Sequence, residues 1–169
     1  FYSDIGVGQS LDNVYTYGVA GSHSGAYIYR GASGDKVNNN SSVSYGASYT
    51  NNDVIGVALD LDSGTLTFYK NGVSQGTAYT GLSGLFFPLV SDFAAAYSTT
   101  FNVNFGQLTT SGDNADENGY GSFEYAPPAG FLAMCSANLP ETTIIRPRNH
   151  FDTVLYTGDG VAIGSGGQS

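Results

Sequence analysis

The chain has 169 residues, enough for one domain with a substantial core, and 41% of them are hydrophobic while only 11% are charged. The net charge of −9, with five basic residues, excludes a patch that could neutralise several phosphates, so nucleic-acid binding is not expected. A single cysteine excludes an intrachain disulfide framework, and no apolar run reaches the ~18 residues of a membrane span. The acidity keeps the protein soluble, or it attracts cations or a basic partner.

The first part of the chain is predicted to form short strands joined by polar loops. Apolar residues favour a strand over Phe1–Gly8, and alternation favours shorter strands at Tyr15–Val19 and Ala26–Arg30. Gly, Asn and Ser dominate Gly31–Ser42, which is predicted to be a polar loop. Val43–Tyr49 then leads into the next strands.

The central run is predicted to be a meander of antiparallel strands. Apolar and β-branched residues favour a strand over Val54–Leu61, and the turn after it ends on Gly64, which accepts a positive φ. Thr65–Lys70 alternates between apolar and polar residues, as a half-buried strand does. Asn71-Gly72 predicts a type I′ hairpin turn, and the chain returns along Val73–Ala78. The fold class is therefore predicted to be all-β.

The remaining strands are predicted from shorter patterns. Leu85–Val90 is almost wholly apolar, which predicts a strand covered on both faces, and Thr99–Phe105 alternates as a half-buried strand. Cys135 follows an apolar run and is predicted to be a small buried residue on a strand. Two prolines make Asn138–Arg148 a predicted linker, and Phe151–Tyr156 is one more candidate strand.

Several stretches of this strand-rich sequence together resemble the SPRY domain in their order and spacing, over roughly Ile5 to Cys135. They are D-V-I-G-V-A-L-D at Asp53–Asp60, L-T-F-Y-K-N-G at Leu66–Gly72, L-F-F-P-L-V at Leu85–Val90, N-F-G at Asn104–Gly106 and P-P-A-G-F at Pro127–Phe131. The resemblance implies a two-sheet antiparallel β-sandwich, SPRY-like and jelly-roll-related. It also implies no catalytic machinery, and binding through loops gathered at one end.

The resemblance also implies which residues bind. The loops at the binding end would contribute Arg30, Asp35, Lys36, Tyr49, Phe93 and Tyr97, and Tyr120 would join them from a segment that the family pattern lacks. That segment is a hydrophilic insertion between Gly106 and Ser122, and it is predicted to be a surface loop, since loop lengthening costs little free energy. Each tyrosine has an alternative role, which is to cover a face of the sandwich.

A second, shorter resemblance concerns the end of the chain. Cys135–Ile145 and His150–Gly158 are similar to the segment that follows SPRY modules in tailed-phage and phage-derived virion proteins. We therefore expect two parts: a SPRY-like β-sandwich at 1–135, and at 136–169 a linker plus a strand that leads to or pairs with another module or subunit. A single strand cannot form a domain by itself.

Candidate catalytic and metal-binding groups are sparse. His23 and His150 lie in no nucleophile pattern, and Asp60 and Asp62 flank a tight turn, where aspartate commonly caps the backbone. The insertion offers oxygen ligands for Ca²⁺, weakly, at Asp113, Asp116 and Glu117, but Ala115 interrupts an EF-hand spacing. Neither a metal nor a cofactor is predicted.

The sequence thus favours a non-enzymatic module for protein binding or assembly. The expected setting is a virion or extracellular surface, as a structural or decoration component of a phage-like tail or capsid or of a surface filament. The expected partners are neighbouring virion subunits, in a homo-oligomeric assembly, or a host-surface protein. The alternative is a carbohydrate-binding, lectin-like adhesion module assisted by Ca²⁺, because lectins also use Tyr and Asn on loops.

Overall fold

The computed structural model describes residues 3–9, 20–92 and 99–140, and within them the fold is all-β. Eight strands occur there: β1 Ser3–Gly8, β2 Ala26–Arg30, β3 Asp35–Asn38, β4 Ser41–Ser44, β5 Ile55–Asp60, β6 Thr65–Lys70, β7 Val73–Tyr79 and β8 Phe87–Asp92. Two short 3-10 turns, Ala20–Ser22 and Ser136–Asn138, are the helical elements of this part. Neither has the length or apolar character of a helix that could cross a membrane.

The strands form two antiparallel sheets. The five-stranded sheet has the order β4-β3-β2-β1-β8, so β1 lies between β2 and β8, with Ile5 opposite Tyr29 on one side and Val90 on the other. The three-stranded sheet is the predicted meander, with the order β5-β6-β7. In the hairpin that joins β6 to β7, Asn71 has a φ of 49° and Gly72 a φ of 78°, as a type I′ turn requires.

The main hydrophobic core lies between the two sheets. It contains Val7 and Tyr29 from the five-stranded sheet, and Leu66 and Phe68 from the three-stranded sheet. Leu66 and Phe68 are 0% exposed, as the alternation along β6 predicts. The predicted two-sheet β-sandwich is confirmed.

A second, smaller cluster lies on the opposite face of the five-stranded sheet and contains Ala26, Ile28, Val37 and Leu89. The 3-10 turn at 20–22 packs on it, since a Cβ at Gly21 would lie 2.6 Å from Cγ1 of Val37. This sheet therefore buries apolar residues on both faces near its centre, which explains why Ile28 and Tyr29, neighbours with opposite orientations, are both fully buried.

Two predictions about the five-stranded sheet were wrong. Gly31–Ser42 is not a loop but mostly the β3–β4 hairpin, whose turn residues Asn39 and Asn40 both have positive φ, 50° and 59°. Asn tolerates this conformation well, so the pair acts as a type I′ turn without glycine. The strand predicted at Leu85–Val90 is covered on one face only, because Leu89 is 8% exposed whereas Val90, on the other face, is 43% exposed. Among the described strands, β8 has a single neighbour, β1. Pro88 fits such an edge strand, since it has no N–H to donate.

Two further predicted strands are absent. Thr99–Phe105 has no strand, and Val103 is 41% exposed. Cys135 is half-buried and lies on no strand, so the prediction of a buried strand residue was wrong there as well. The predicted strands Tyr15–Val19 and Phe151–Tyr156 lie outside the described residues.

The chain divides into two compact units, Phe1–Asn138 and Leu139–Ser169. All eight strands belong to the first unit, and of the second only 139–140 are described. The predicted linker and strand within 136–169 stay predictions.

Candidate functional site

One end of the sandwich is built around the segment from Tyr45 to Thr50, which we call the crossing loop because it leads from the five-stranded sheet to the three-stranded one. Backbone bonds tie it to the turn between β2 and β3: Gly46 N donates to Gly34 O at 2.8 Å and Tyr49 N donates to Gly31 O at 2.9 Å. Side chains of the other sheet also hold it, because Ala47 N donates to Oε1 of Gln75 at 2.9 Å. The crossing loop is therefore anchored to both sheets.

Aromatic side chains form the base of this end. The ring of Tyr29 lies 5.4 Å from Tyr45, 5.0 Å from Tyr49 and 5.3 Å from Phe68, in edge-on or tilted arrangements that aromatic pairs favour. Each tyrosine also uses its hydroxyl: Tyr29 donates to Ala47 O, Tyr45 donates to Gly76 O, and Tyr49 donates to Tyr29 O at 2.9 Å. The same side chains thus pack in the core and tie the crossing loop to β2 and β7 through hydrogen bonds.

Burial changes the acidity of these tyrosines. Desolvation, with smaller contributions from the nearby Tyr45 and Asp53, raises the pKa of Tyr29 from 10.0 to about 12. Desolvation also raises the pKa of Tyr45, Tyr49 and Tyr79. All four remain neutral hydrogen-bond donors at any physiological pH, so none of them is poised as a general base.

The outer rim of this end consists of small side chains, and it has exposed residues at Ala32, Ser33, Ala47, Ser48 and Thr50. Gly34 must remain glycine because it has a φ of 76° and an added Cβ would overlap the carbonyl oxygen of Gly46. The result is a surface of backbone groups and small side chains whose geometry is fixed before any partner arrives. Such a surface can recognise a partner by shape and hydrogen bonds.

The predicted binding residues do not all gather on this end. Arg30 forms a bidentate ion pair with the buried Asp4, with both N···O distances at 3.0 Å, on the outer face of the five-stranded sheet. Asp35 accepts a hydrogen bond from Ser42 at 2.7 Å within the β3–β4 hairpin. Lys36 faces the other sheet, where Nζ donates to Ala78 O at 2.7 Å and lies 5.5 Å from the ring centre of Tyr79. Arg30 and Lys36 therefore lie on opposite faces of one sheet.

Of the remaining predicted residues, only Tyr49 and Tyr120 are described, and they differ in exposure. Tyr49 is 3% exposed and belongs to the core, whereas Tyr120 is 44% exposed in the insertion. Phe93 and Tyr97 lie outside the described residues. Sequence reasoning missed Gln75, whose side chain fixes Ala47 N from a neighbouring sheet, because its only signal is a polar residue on an edge strand.

The insertion is organised by Asp116, which is 7% exposed. Its Oδ1 accepts hydrogen bonds from the N–H groups of Asn118 and Tyr120, and its Oδ2 accepts them from Ala133 N and from the amide of Asn138, all at 2.7 to 3.0 Å. Burial alone would raise the pKa of Asp116, but these donors outweigh it and hold the pKa below its ordinary value.

The weak calcium candidates do not form a shared site. Asp116 uses both oxygens for N–H donors, and Glu117 accepts a hydrogen bond from Gly130 N at 3.0 Å. Within the described ranges, no three His, Cys, Asp or Glu side chains are grouped as metal ligands.

The carboxylate at the β5–β6 turn has a local role. Asp60 accepts bonds from Asp62 N at 2.9 Å and from the hydroxyl of Ser63 at 2.6 Å, which lower its pKa. This is the turn cap that the sequence predicts.

His23 is half-buried, not exposed, and its carbonyl oxygen accepts hydrogen bonds from Ala26 N and Asn39 N, next to the β3–β4 turn.

The family model of the SPRY domain matches residues 2–107, well over half of the chain. The chain belongs to the SPRY domain family. SPRY domains are in general non-catalytic modules for protein–protein interaction. The match ends at the start of the insertion, so residues 108–138 lie beyond the part that the family model describes.

Three curated relatives align with part of this chain. The chain is 31% identical over 121 residues to the ATP-dependent RNA helicase Ddx1 of Drosophila melanogaster, and this alignment covers 69% of the chain. It is 42% identical over 52 residues both to the dual specificity protein kinase splA of Dictyostelium discoideum and to the E3 ubiquitin-protein ligase RKP of Arabidopsis thaliana, which span 31% and 28% of this chain.

The chain spans only 14%, 2% and 4% of the lengths of these three relatives, in the same order. Among solved structures, it is similar to the SPRY domain of human HERC1, with 24% identity and a TM-score of 0.46 over 55% of this chain and 57% of that one.

Proposed function

We propose that this SPRY domain is a non-enzymatic module that binds a protein through the crossing loop and the adjoining β2–β3 turn. The observation that carries the proposal is the construction of this end, where buried tyrosine hydroxyls and Gln75 hold exposed small residues in fixed positions. A preorganised surface loses little conformational entropy on binding. Its tyrosines stay protonated and bonded to carbonyls, which supports recognition over chemistry.

Panning of a random peptide library tests this proposal. We expect selected peptides to lose binding when Ala47→Arg places a long side chain on the crossing loop, and to keep binding to Val43→Arg, a matched change at a 49% exposed position on β4. Peptides that bind both variants equally would contradict the proposed site. If the chain binds glycans on an array and no peptide is selected, the carbohydrate-binding alternative is favoured over protein binding.

We further propose that the module is carried on a phage-like virion or another extracellular surface, as a structural or decoration component. Neighbouring virion subunits, in a homo-oligomeric assembly, or a host-surface protein would be its partners. The support is the likeness of Cys135–Ile145 and His150–Gly158 to virion segments. An antibody raised against this chain should label purified particles or the cell exterior. Labelling of the cell interior alone would contradict this location, and would fit the cellular proteins that share the SPRY segment.

A further inference from the structure

A small apolar surface lies beyond the SPRY match, and we call it the Met134 patch. It consists of Tyr120, Leu132 and Met134, which are 44%, 47% and 61% exposed. Ala133, between the last two, is 4% exposed and points inward, where the glycine backbones of Gly106 and Gly121 approach it. The chain bends at Met134, where Cys135 N donates to Ala133 O at 2.8 Å, and the exposures of Leu132 and Met134 show that both side chains face solvent.

One carboxylate holds the patch together. Asp116 accepts Tyr120 N at 2.9 Å on one oxygen and Ala133 N at 2.8 Å on the other, which brings the two segments of the patch side by side. Glu117, next in the chain, accepts Gly130 N at 3.0 Å and so lies beside the same segment. The patch is therefore fixed by hydrogen bonds and flanked by an exposed carboxylate.

The stretch of sequence that contains the patch has acidic side chains and no basic ones. From Asn71 to Pro140 the sequence has no Lys, Arg or His, whereas it has five carboxylates, at Asp92, Asp113, Asp116, Glu117 and Glu124. The nearest basic residue before this stretch is Lys70, whose Nζ lies 3.3 Å from Oδ2 of Asp53 and also donates to Ser48 O. Among these carboxylates, Glu117 lies beside the patch and is exposed, whereas Asp116 is buried and accepts N–H donors on both oxygens. A cationic side chain that approaches the patch can therefore reach Glu117.

We propose that the Met134 patch is a docking site for a protein segment that is both apolar and cationic. Its apolar residues would cover Leu132 and Met134, and its Lys or Arg side chains would meet Glu117. This complementarity gives both specificity and a fast, salt-dependent approach. The site is independent of the proposed loop-end site, because it lies on residues that the SPRY match does not include.

Fluorescence anisotropy with short labelled peptides tests the proposal. A peptide that alternates Lys and Leu should bind the intact chain more tightly than one that alternates Lys and Ser or one that alternates Glu and Leu. Met134→Ser should weaken the binding about tenfold, and Glu117→Gln about threefold, because each removes one kind of contact. The glutamine can still accept the hydrogen bond from Gly130 N, so the local fold is kept.

Matched controls separate docking from general attraction to an acidic chain. Val73→Ser removes a 65% exposed aliphatic side chain on β7, and Asp62→Asn removes an exposed charge at the β5–β6 turn; neither should change peptide affinity. Equal losses in the patch variants and the control variants would overturn the proposal, as would equal affinity for the Lys–Ser peptide. A dimer that Met134→Ser dissociates would overturn it too, since a second copy would then occupy the patch. Ala47→Arg should leave this binding intact even if it abolishes binding at the loop end.

Discussion

Tyrosine side chains have two structural roles in this molecule, packing in the core and donating hydrogen bonds, and Tyr49 has both. Its ring packs against Tyr29 in the core, while its hydroxyl donates to the carbonyl oxygens of Tyr29 and Ser3 at 2.9 and 3.2 Å. The sequence reveals only that tyrosine is frequent and placed on loops and strands. Which of them lie inside depends on partners distant in the chain, so the prediction that Tyr49 binds a partner could not be weighed against its role in the core.

Removing the buried hydroxyl of Tyr49 tests its role as a hydrogen-bond donor. We expect Tyr49→Phe to lower the free energy of unfolding by about 1 to 2 kcal/mol, because the ring remains but buried carbonyls lose a donor. Urea unfolding followed by tyrosine fluorescence measures the change. Tyr120→Phe, at a 44% exposed position, should leave the unfolding midpoint unchanged, and equal midpoints for both variants would contradict the argument.

The raised pKa of Tyr29 predicts sensitivity to alkali. Its neutral form is favoured in the folded state, where the pKa is about 12 against 10.0 ordinarily, so the unfolded state releases its proton first. The stability linked to this group is therefore complete below pH 10 and is lost as the pH rises from 10 to about 12. Melting temperatures measured across this range should fall for the wild type and fall less for Tyr29→Phe. Parallel curves would refute the linkage.

At the scale of the element, the two hairpins show what local sequence can reveal. Asn71-Gly72 has a known turn preference, and the structure confirms the turn with strands on either side. Asn39-Asn40 makes a turn of the same kind, but without glycine it resembles any polar loop. The four-residue strands beside it are too short for a clear alternation, so the β3–β4 hairpin depends on pairing with β2, which no local pattern encodes.

The β6–β7 turn also supports a neighbouring segment. A Cβ on Gly72 would lie 2.7 Å from Cδ1 of Tyr125, at a φ of 78° that side chains rarely adopt. We expect Gly72→Ala to cost about 1 to 3 kcal/mol of unfolding free energy from backbone strain and the clash together. Gly76→Ala is the matched control for strain alone, because Gly76 has a φ of 86° and open space around it.

A double variant isolates the clash. Adding Tyr125→Ala to Gly72→Ala should recover the part of the loss that exceeds the loss in Gly76→Ala. If the loss of unfolding free energy in the double variant equals the sum of the losses in Gly72→Ala and Tyr125→Ala, then the Tyr125 ring does not clash with a Cβ at position 72.

For the whole molecule, the sequence revealed the class and the layered arrangement but not the second cluster. Alternation identifies one buried face of each strand, and it identified Leu66 and Phe68 correctly. The residues of the outer cluster, such as Ile28 and Val37, become buried because a 3-10 turn packs over them. Likewise, Asp116 looked like a solvated loop residue until the chain brought Ala133 and Asn138 to it from beyond the turn. Contacts between residues so far apart in the chain cannot be inferred from a local sequence pattern.

The arrangement of the sheets predicts where the protein opens first. Strands β1, β2 and β6 each have a neighbour on both sides and contribute the most deeply buried residues, whereas β4 is an edge strand with every residue exposed. Native-state hydrogen exchange should show the slowest amides in β1, β2 and β6 and the fastest strand amides in β4. Equal protection across the strands would indicate that the sandwich unfolds only as one unit.

The long stretch without basic residues also determines how proteases used for peptide sequencing cut the protein. Trypsin cleaves after Lys and Arg, and between Lys70 and Arg146 it has no bond to attack, while Arg146 itself precedes proline. Digestion therefore leaves β7, β8 and the whole insertion on one very large peptide, which routine peptide sequencing would overlook. A protease that cuts beside carboxylates would divide the same region at Asp92, Asp113 and Glu124, and would make it visible in a proteome.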